Sequence, residues 1–166
     1  PKVSFWALKD MRHGWRQRRT WIVFSWLVGL IGLVTGWSAD PSAPLRVACI
    51  IIFGLAANAA VSIQLSNDEP KELLKWLGNG GSSAFWARCI VLFFWFQAAI
   101  WPGVFAVGLR NSWEAMGGVV VAGVSAAVVF SVLANLCGRL AHARLVTYIS
   151  TATLGLGCVS AVLFGG

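Results

Sequence analysis

The ionisable and nucleophilic side chains of this chain are few, and their spacing assembles no reaction centre. The six carboxylates are Asp10, Asp40, Asp68, Glu69, Glu72 and Glu114, and none lies inside an apolar run. Acid–base chemistry needs such groups to converge in a cleft; Asp68, Glu69 and Glu72 instead crowd into one polar segment, 66–84. The histidines, His13 and His142, both flank apolar runs. A haem held by two histidines would want them at similar depth on facing helices. His13 lies in a basic N-terminal stretch, so ordinary interfacial histidines are expected. Cys49, Cys89, Cys137 and Cys158 lie in or beside apolar runs and make no CxxC pair, which reads as packing rather than a metal or disulfide framework. No GxxxxGK[ST] phosphate loop occurs, so the chain itself is not a P-loop ATPase. The expectation is a non-enzymatic chain with no metal and no cofactor of its own.

Uncharged polar residues within the apolar runs are Asn58, Gln64, Gln97, Asn135 and a cluster of Thr147, Tyr148, Ser150, Thr151 and Thr153. In lipid such groups usually join helices by hydrogen bonds of about 0.6 kcal/mol each. Gln97 and Asn135 are the candidates for lining a path. Proton-coupled transport generally places an ionisable group within the membrane; no Asp, Glu or His lies in any run, and Arg46 and Arg88 stand only at the run ends.

The elements that must position these residues follow from composition. Hydrophobic residues make up 58% of the chain and charged ones 11%, against about a quarter charged in an average soluble domain. Mean hydropathy is +0.74. A water-soluble fold would leave much of this apolar surface wet, and lipid removes that problem. Apolar runs occupy 20–37, 45–65, 85–109, 115–138 and 145–166. Each is long enough, at 1.5 Å per residue, to cross a hydrocarbon core about 30 Å thick. The fold class expected is all-α: a polytopic helical bundle of five spans, one transmembrane domain over 1–166. Trp101-Pro102-Gly103 in the third run predicts a kink, or a break with a short re-entry. Gly29, Gly32 and Gly36, then Gly117, Gly118 and Gly123, read as close helix-packing contacts. The aromatic run Phe93-Phe94-Trp95-Phe96 reads as lipid-facing or helix-packing surface.

Net charge is +7, yet the cations sit between apolar runs, which indicates membrane topology rather than nucleic acid. Lys2, Lys9, Arg12, Arg16, Arg18 and Arg19 precede the first run; Arg46 follows the first loop; Lys71, Lys75 and Arg88 mark the second; Arg110 the third; Arg139 and Arg144 the fourth. That alternation predicts a cytoplasmic N-terminus and an outer C-terminus in a bacterial-type plasma membrane. The first run is long for a signal peptide and Trp37-Ser38-Ala39 is a poor cleavage site, so it is read as retained.

Two segments outside the runs have structure of their own. Over 4–19, Phe5, Leu8, Met11 and Trp15 recur at helical spacing. This predicts an interfacial amphipathic helix anchored by Trp6, Lys9, Arg12, Trp15, Arg16 and Arg19, with membrane lipid as its partner. In the loop 66–84, Ser66 or Asn67 can cap a short helix. Asp68 and Glu69 suit the positive end of its dipole, and Pro70 fits its first turn. Leu73, Leu74 and Leu77 form its apolar face, and Gly78-Asn79-Gly80-Gly81 ends it.

The stretch NDEPKELLKWLGNGGSSAFWARCIVLFF, after a basic amphipathic helix and two runs, resembles the permease subunits of the second exporter type of ATP-binding-cassette (ABC) transporters. The likeness covers about residues 4–110 and is carried by layout and a loose motif. It implies that Glu72-Leu73-Leu74 form the core of a coupling helix, gripped through Asp68, Glu69, Trp76 and Leu77 by a separate cytoplasmic ATPase subunit. It implies further that 78–83 is the turn, that Ala87-Arg88 opens the third span, that a second membrane subunit faces this one, and that ATP and Mg are bound by the ATPase alone. A non-catalytic accessory subunit of a larger membrane complex is the alternative, since small size, many tryptophans and absent catalytic residues suit it equally.

Overall fold

The computed structural model describes residues 7–12, 15, 19–67, 80–140 and 152. Four long helices dominate: α1 Arg19–Gly36, α2 Ala43–Asn67, α3 Gly80–Arg110 and α4 Trp113–Leu140. Among the described residues there is no strand, and residues 7–12 and 15 are also helical. Among the described residues three stretches are long and apolar enough to cross a membrane: Ala43–Ala60, Ser82–Arg110 and Trp113–Cys137. The apolar part of α1, Ile22–Gly36, is shorter. The run expected at 145–166 lies outside the described residues, apart from residue 152.

Side-chain chemistry sets the turns. Asp40 accepts from the Ser42 backbone N–H and from the Ser42 hydroxyl, each at 2.9 Å, and pairs with Arg46 one turn into α2. Ser42 takes the first helical bond, from Arg46 N–H at 3.1 Å, while Pro44 occupies the first turn, where its missing N–H costs nothing. At the other connection the Ser112 hydroxyl accepts from Ala115 N–H at 3.1 Å, an N-cap for α4, with Glu114 in the first turn where the dipole favours it.

The helices run alternately up and down. α1 packs on α3 in parallel, with Gly29 beside Ala98, Gly32 beside Gly103 and Gly36 beside Ala106. α3 and α4 are antiparallel, since Ile100 meets Gly123 and Met116 meets Gly108. α2 touches each of the other three helices, and α1 and α4 share no contact among the described residues. The order around the bundle is therefore α1, α3, α4, α2. Its core is supplied chiefly by α2 and α3: Val47, Ile51, Leu55, Leu92, Phe96, Ile100, Val104 and Val107, joined by Val119 and Ala127 of α4.

α1 reverses the pattern of a soluble helix. Its inward residues are small: Ser25, Val28, Gly29, Gly32 and Gly36 are buried. Its large residues Trp26, Leu30 and Val34 point outward, with Val34 65% exposed. In water this arrangement would forfeit the hydrophobic gain of folding. In lipid it is favourable, because small residues permit close approach and large ones meet acyl chains. Phe94 is likewise 65% exposed, whereas its neighbour Phe96 is buried, so the aromatic run divides between the surround and the core.

One expectation is corrected, and one of the two alternatives at Pro102 is excluded. α3 begins at Gly80, so Gly80–Ala84 belong to the helix rather than to the loop 66–84 or a turn at 78–83. Burial of Ala84 and Ala87 beneath Ala7 outweighs the poor propensity of Gly-Gly-Ser-Ser. α3 also runs unbroken through Pro102, which excludes a break and re-entry there. The carbonyl that Pro102 leaves without its helical donor, that of Ala98, lies against Gly29 of α1.

Candidate functional site

Among the described residues the buried polar side chains, Ser25, Asn58, Ser131 and Asn135, lie toward the end that carries the N-terminus of α3. Asn135 on α4 is fully buried and donates from Nδ2 to the Phe85 carbonyl at 2.8 Å, and to Cys89 Sγ at 3.4 Å. Ser131, one turn away, donates to Val128 O at 2.9 Å. Between α1 and α2, Ser25 Oγ donates to Asn58 Oδ1 at 3.2 Å, while Asn58 Nδ2 donates to Gly54 O at 2.9 Å. The Asn135 and Ser25–Asn58 bonds join helices, and the Ser131 and Asn58 Nδ2 bonds return to carbonyls of their own helix, in a region where water cannot substitute for a missing partner.

The first turns of α3 form a junction. Phe85 and Cys89 face α4, whereas Ala84, Ala87 and Arg88 face residues 7–12. Arg88 holds Asp10 through both carboxylate oxygens, Nε to Oδ2 at 3.2 Å and Nη2 to Oδ1 at 3.5 Å. Both side chains are largely covered, at 14% and 11% exposed. A guanidinium near the start of a membrane helix requires a partner, and Asp10 supplies it across 78 residues of chain.

Of the interfacial residues expected from sequence, Lys9, Arg12, Trp15 and Arg19 are exposed; Trp6 and Arg16 lie outside the described residues. Asp68, Glu69, Glu72, Leu73, Leu74, Trp76 and Leu77 also lie outside them. α2 ends at Asn67 and α3 begins at Gly80, so this segment is tethered at both ends to the junction end of the bundle. Gln97 donates to Phe93 O of its own helix at 3.2 Å and is half-buried on α3. Asn135 joins α4 to α3 instead, so the two share no hydrogen bond.

Sequence reasoning missed Asp10 as a structural partner and Ser25 altogether. Asp10 carried a usable signal as the lone acid of a basic helix. Arg88 carried another, a cation one turn into an apolar run.

An apolar groove of about 560 Å³ lies between α1 and α2, lined by Leu27, Ile31, Cys49, Ile50 and Phe53 with Arg46 among its walls. Arg46 is already paired with Asp40. Among the described residues no three His, Cys, Asp or Glu side chains converge, and Cys49, Cys89 and Cys137 form no disulfide. A scan against family models and searches of curated proteins and solved structures returned no match.

A membrane-type bundle with an apolar core carries, at one end, an ion-paired helix, a polar interhelical layer and the two attachment points of the segment 68–79.

Proposed function

We propose that the chain is the membrane permease subunit of an ATP-driven ABC exporter of the second type, in a bacterial-type plasma membrane with its N-terminus cytoplasmic, its C-terminus outside and five spans. The observation that carries this reading is the junction. The acidic ELL segment is strung between α2 and α3 at the end where Arg88 clasps the N-terminal helix through Asp10. A push on that segment would be delivered to the first turns of α3, and from there to α4 through Phe85 and Asn135. Rigid helices would carry it to a path shared with a second membrane subunit. ATP and Mg would be held by the separate ATPase. In this reading Asp68, Glu69, Glu72, Leu73, Leu74, Trp76 and Leu77 are mechanical contacts.

The test is Glu69→Lys with Glu72→Lys, followed by purification of the chain with its partners. Loss of the ATPase with an intact bundle supports the proposal. Full retention of ATPase binding and transport overturns it.

One observation favours the alternative, an accessory subunit of a larger membrane complex. Among the described residues the buried polar groups are Ser25, Asn58, Ser131 and Asn135, and none is charged. An apolar middle of this kind suits a scaffold. That reading expects co-purification with other integral subunits and no response to nucleotide.

A further inference from the structure

Residues 7–12 present distinct edges whose directions are set by the docking on α3. Ala7 packs on Ala84 and Ala87, and Asp10 is held by Arg88. At about 100° per residue, Ala7 and Asp10 lie roughly 60° apart and define the edge that meets the bundle. By the same count Leu8 and Met11 share an edge turned roughly 100° away, and Lys9 with Arg12 lie almost opposite the docked edge. Leu8 and Met11 are each 51% exposed. The helix thus offers its apolar edge at about a right angle to the direction in which it leans on α3.

A helix lying along a bilayer surface beside an upright bundle needs this geometry: one edge sideways to protein, one edge down into the headgroup boundary, cations toward phosphate. Trp86 and Ile90 on α3, 54% and 42% exposed, continue the apolar surface beside the docking point. The exposed cations Lys9, Arg12 and Arg19 select for negative headgroups.

We propose that the Asp10–Arg88 pair is a clamp that fixes the roll of this helix, so that Leu8 and Met11 enter an anionic leaflet. Without the clamp the helix would be free to roll, and its apolar edge would no longer be aligned with the membrane plane. The inference rests on membrane embedding alone and is independent of ATPase coupling.

The experiment uses the full chain in nanodiscs of mixed phosphatidylcholine and phosphatidylglycerol. A benzophenone amino acid replacing Leu8 or Met11 is photoactivated, and the adducts are weighed. Lipid adducts enriched in phosphatidylglycerol beyond its share in the disc are expected. Hydrogen exchange of residues 7–12 reads the clamp: slow in the native chain, fast in Arg88→Gln and in Asp10→Asn, slow again in the exchanged pair Asp10→Arg with Arg88→Asp. Exchange in α2 and α4 monitors the bundle, and should Arg88→Gln loosen it, Asp10→Asn carries the test. Adducts to protein alone, lipid adducts without anionic preference, or unchanged exchange of residues 7–12 in Asp10→Asn would each overturn the proposal.

Discussion

Gly29 of α1 packs directly against the carbonyl oxygen of Ala98 on α3, with Pro102 Cγ 3.0 Å from where a Cβ on Gly29 would stand. Pro102 has no N–H to give that carbonyl, so the oxygen lacks its usual helical donor. A glycine Cα–H is the group that can approach it, and such contacts recur at close helix crossings. The proline that could have broken α3 is thus accommodated by the absence of a side chain on the neighbouring helix.

Gly29→Ala is therefore expected to destabilise the bundle. The new methyl meets a backbone atom that cannot swing aside, and overpacking of this kind costs about 1–3 kcal/mol. Gly118→Ala is the control, because nothing lies within 4 Å of a Cβ there. Unfolding by SDS in mixed micelles should show a clear loss for the first and none for the second. Equal stability of both variants would refute the close approach.

Asn135 gives a second test. Asn135→Ala removes the donor to Phe85 O, at about 0.6 kcal/mol for the bond, with a further loss for the cavity. Asn135→Asp should be worse at neutral pH, since it sets a buried carboxylate against a carbonyl oxygen, acceptor against acceptor. Acidification should relieve Asn135→Asp by restoring a donor. The same unfolding assay, run at two pH values, would show whether the order holds.

Asp40 links stability to pH at the α1–α2 turn. The Ser42 backbone N–H, then the Ser42 hydroxyl and Arg46, hold its carboxyl below the usual value of 3.8. The folded state therefore keeps this group ionised to lower pH than the unfolded chain does. Its contribution is fully present above the unfolded value and is lost as pH falls through the folded one. Thermal midpoints in detergent, followed down to about pH 3, should fall less steeply for Asp40→Asn than for the native chain. Parallel curves would show that the turn does not feel the charge.

The threading predicted by the cations is open to labelling. Ser42→Cys, in the exposed turn between α1 and α2, and Asn79→Cys, just before α3, should react with an impermeant maleimide from opposite faces of the membrane. Reaction of both from one face would remove the five-span topology, and the transporter reading with it.

The helical runs at 45–65 and 115–138 fall inside α2 and α4, because continuous apolar stretches between turn residues leave little else to form. The stripe Gly29, Gly32 and Gly36 was readable as a packing face, and the structure names its partners on α3. Gly117 and Gly118 came from the same reasoning, yet a Cβ at either would meet nothing within 4 Å, since composition reveals where helices can approach, not which faces meet. The start of α3 at Gly80 was illegible because local propensity opposes it. Only the burial of Ala84 and Ala87 beneath a helix far earlier in the chain reverses the balance.

Composition and charge spacing alone determined that this is a helical chain made for lipid, because hydrocarbon length and the cost of unpaired backbone leave no other solution. Tertiary structure alone decided that α1 lies on α3, that Pro102 is tolerated, and that Asp10 belongs to Arg88. Those choices depend on which surfaces fit at contact distance, between residues tens of positions apart, and no local pattern in the chain encodes that fit.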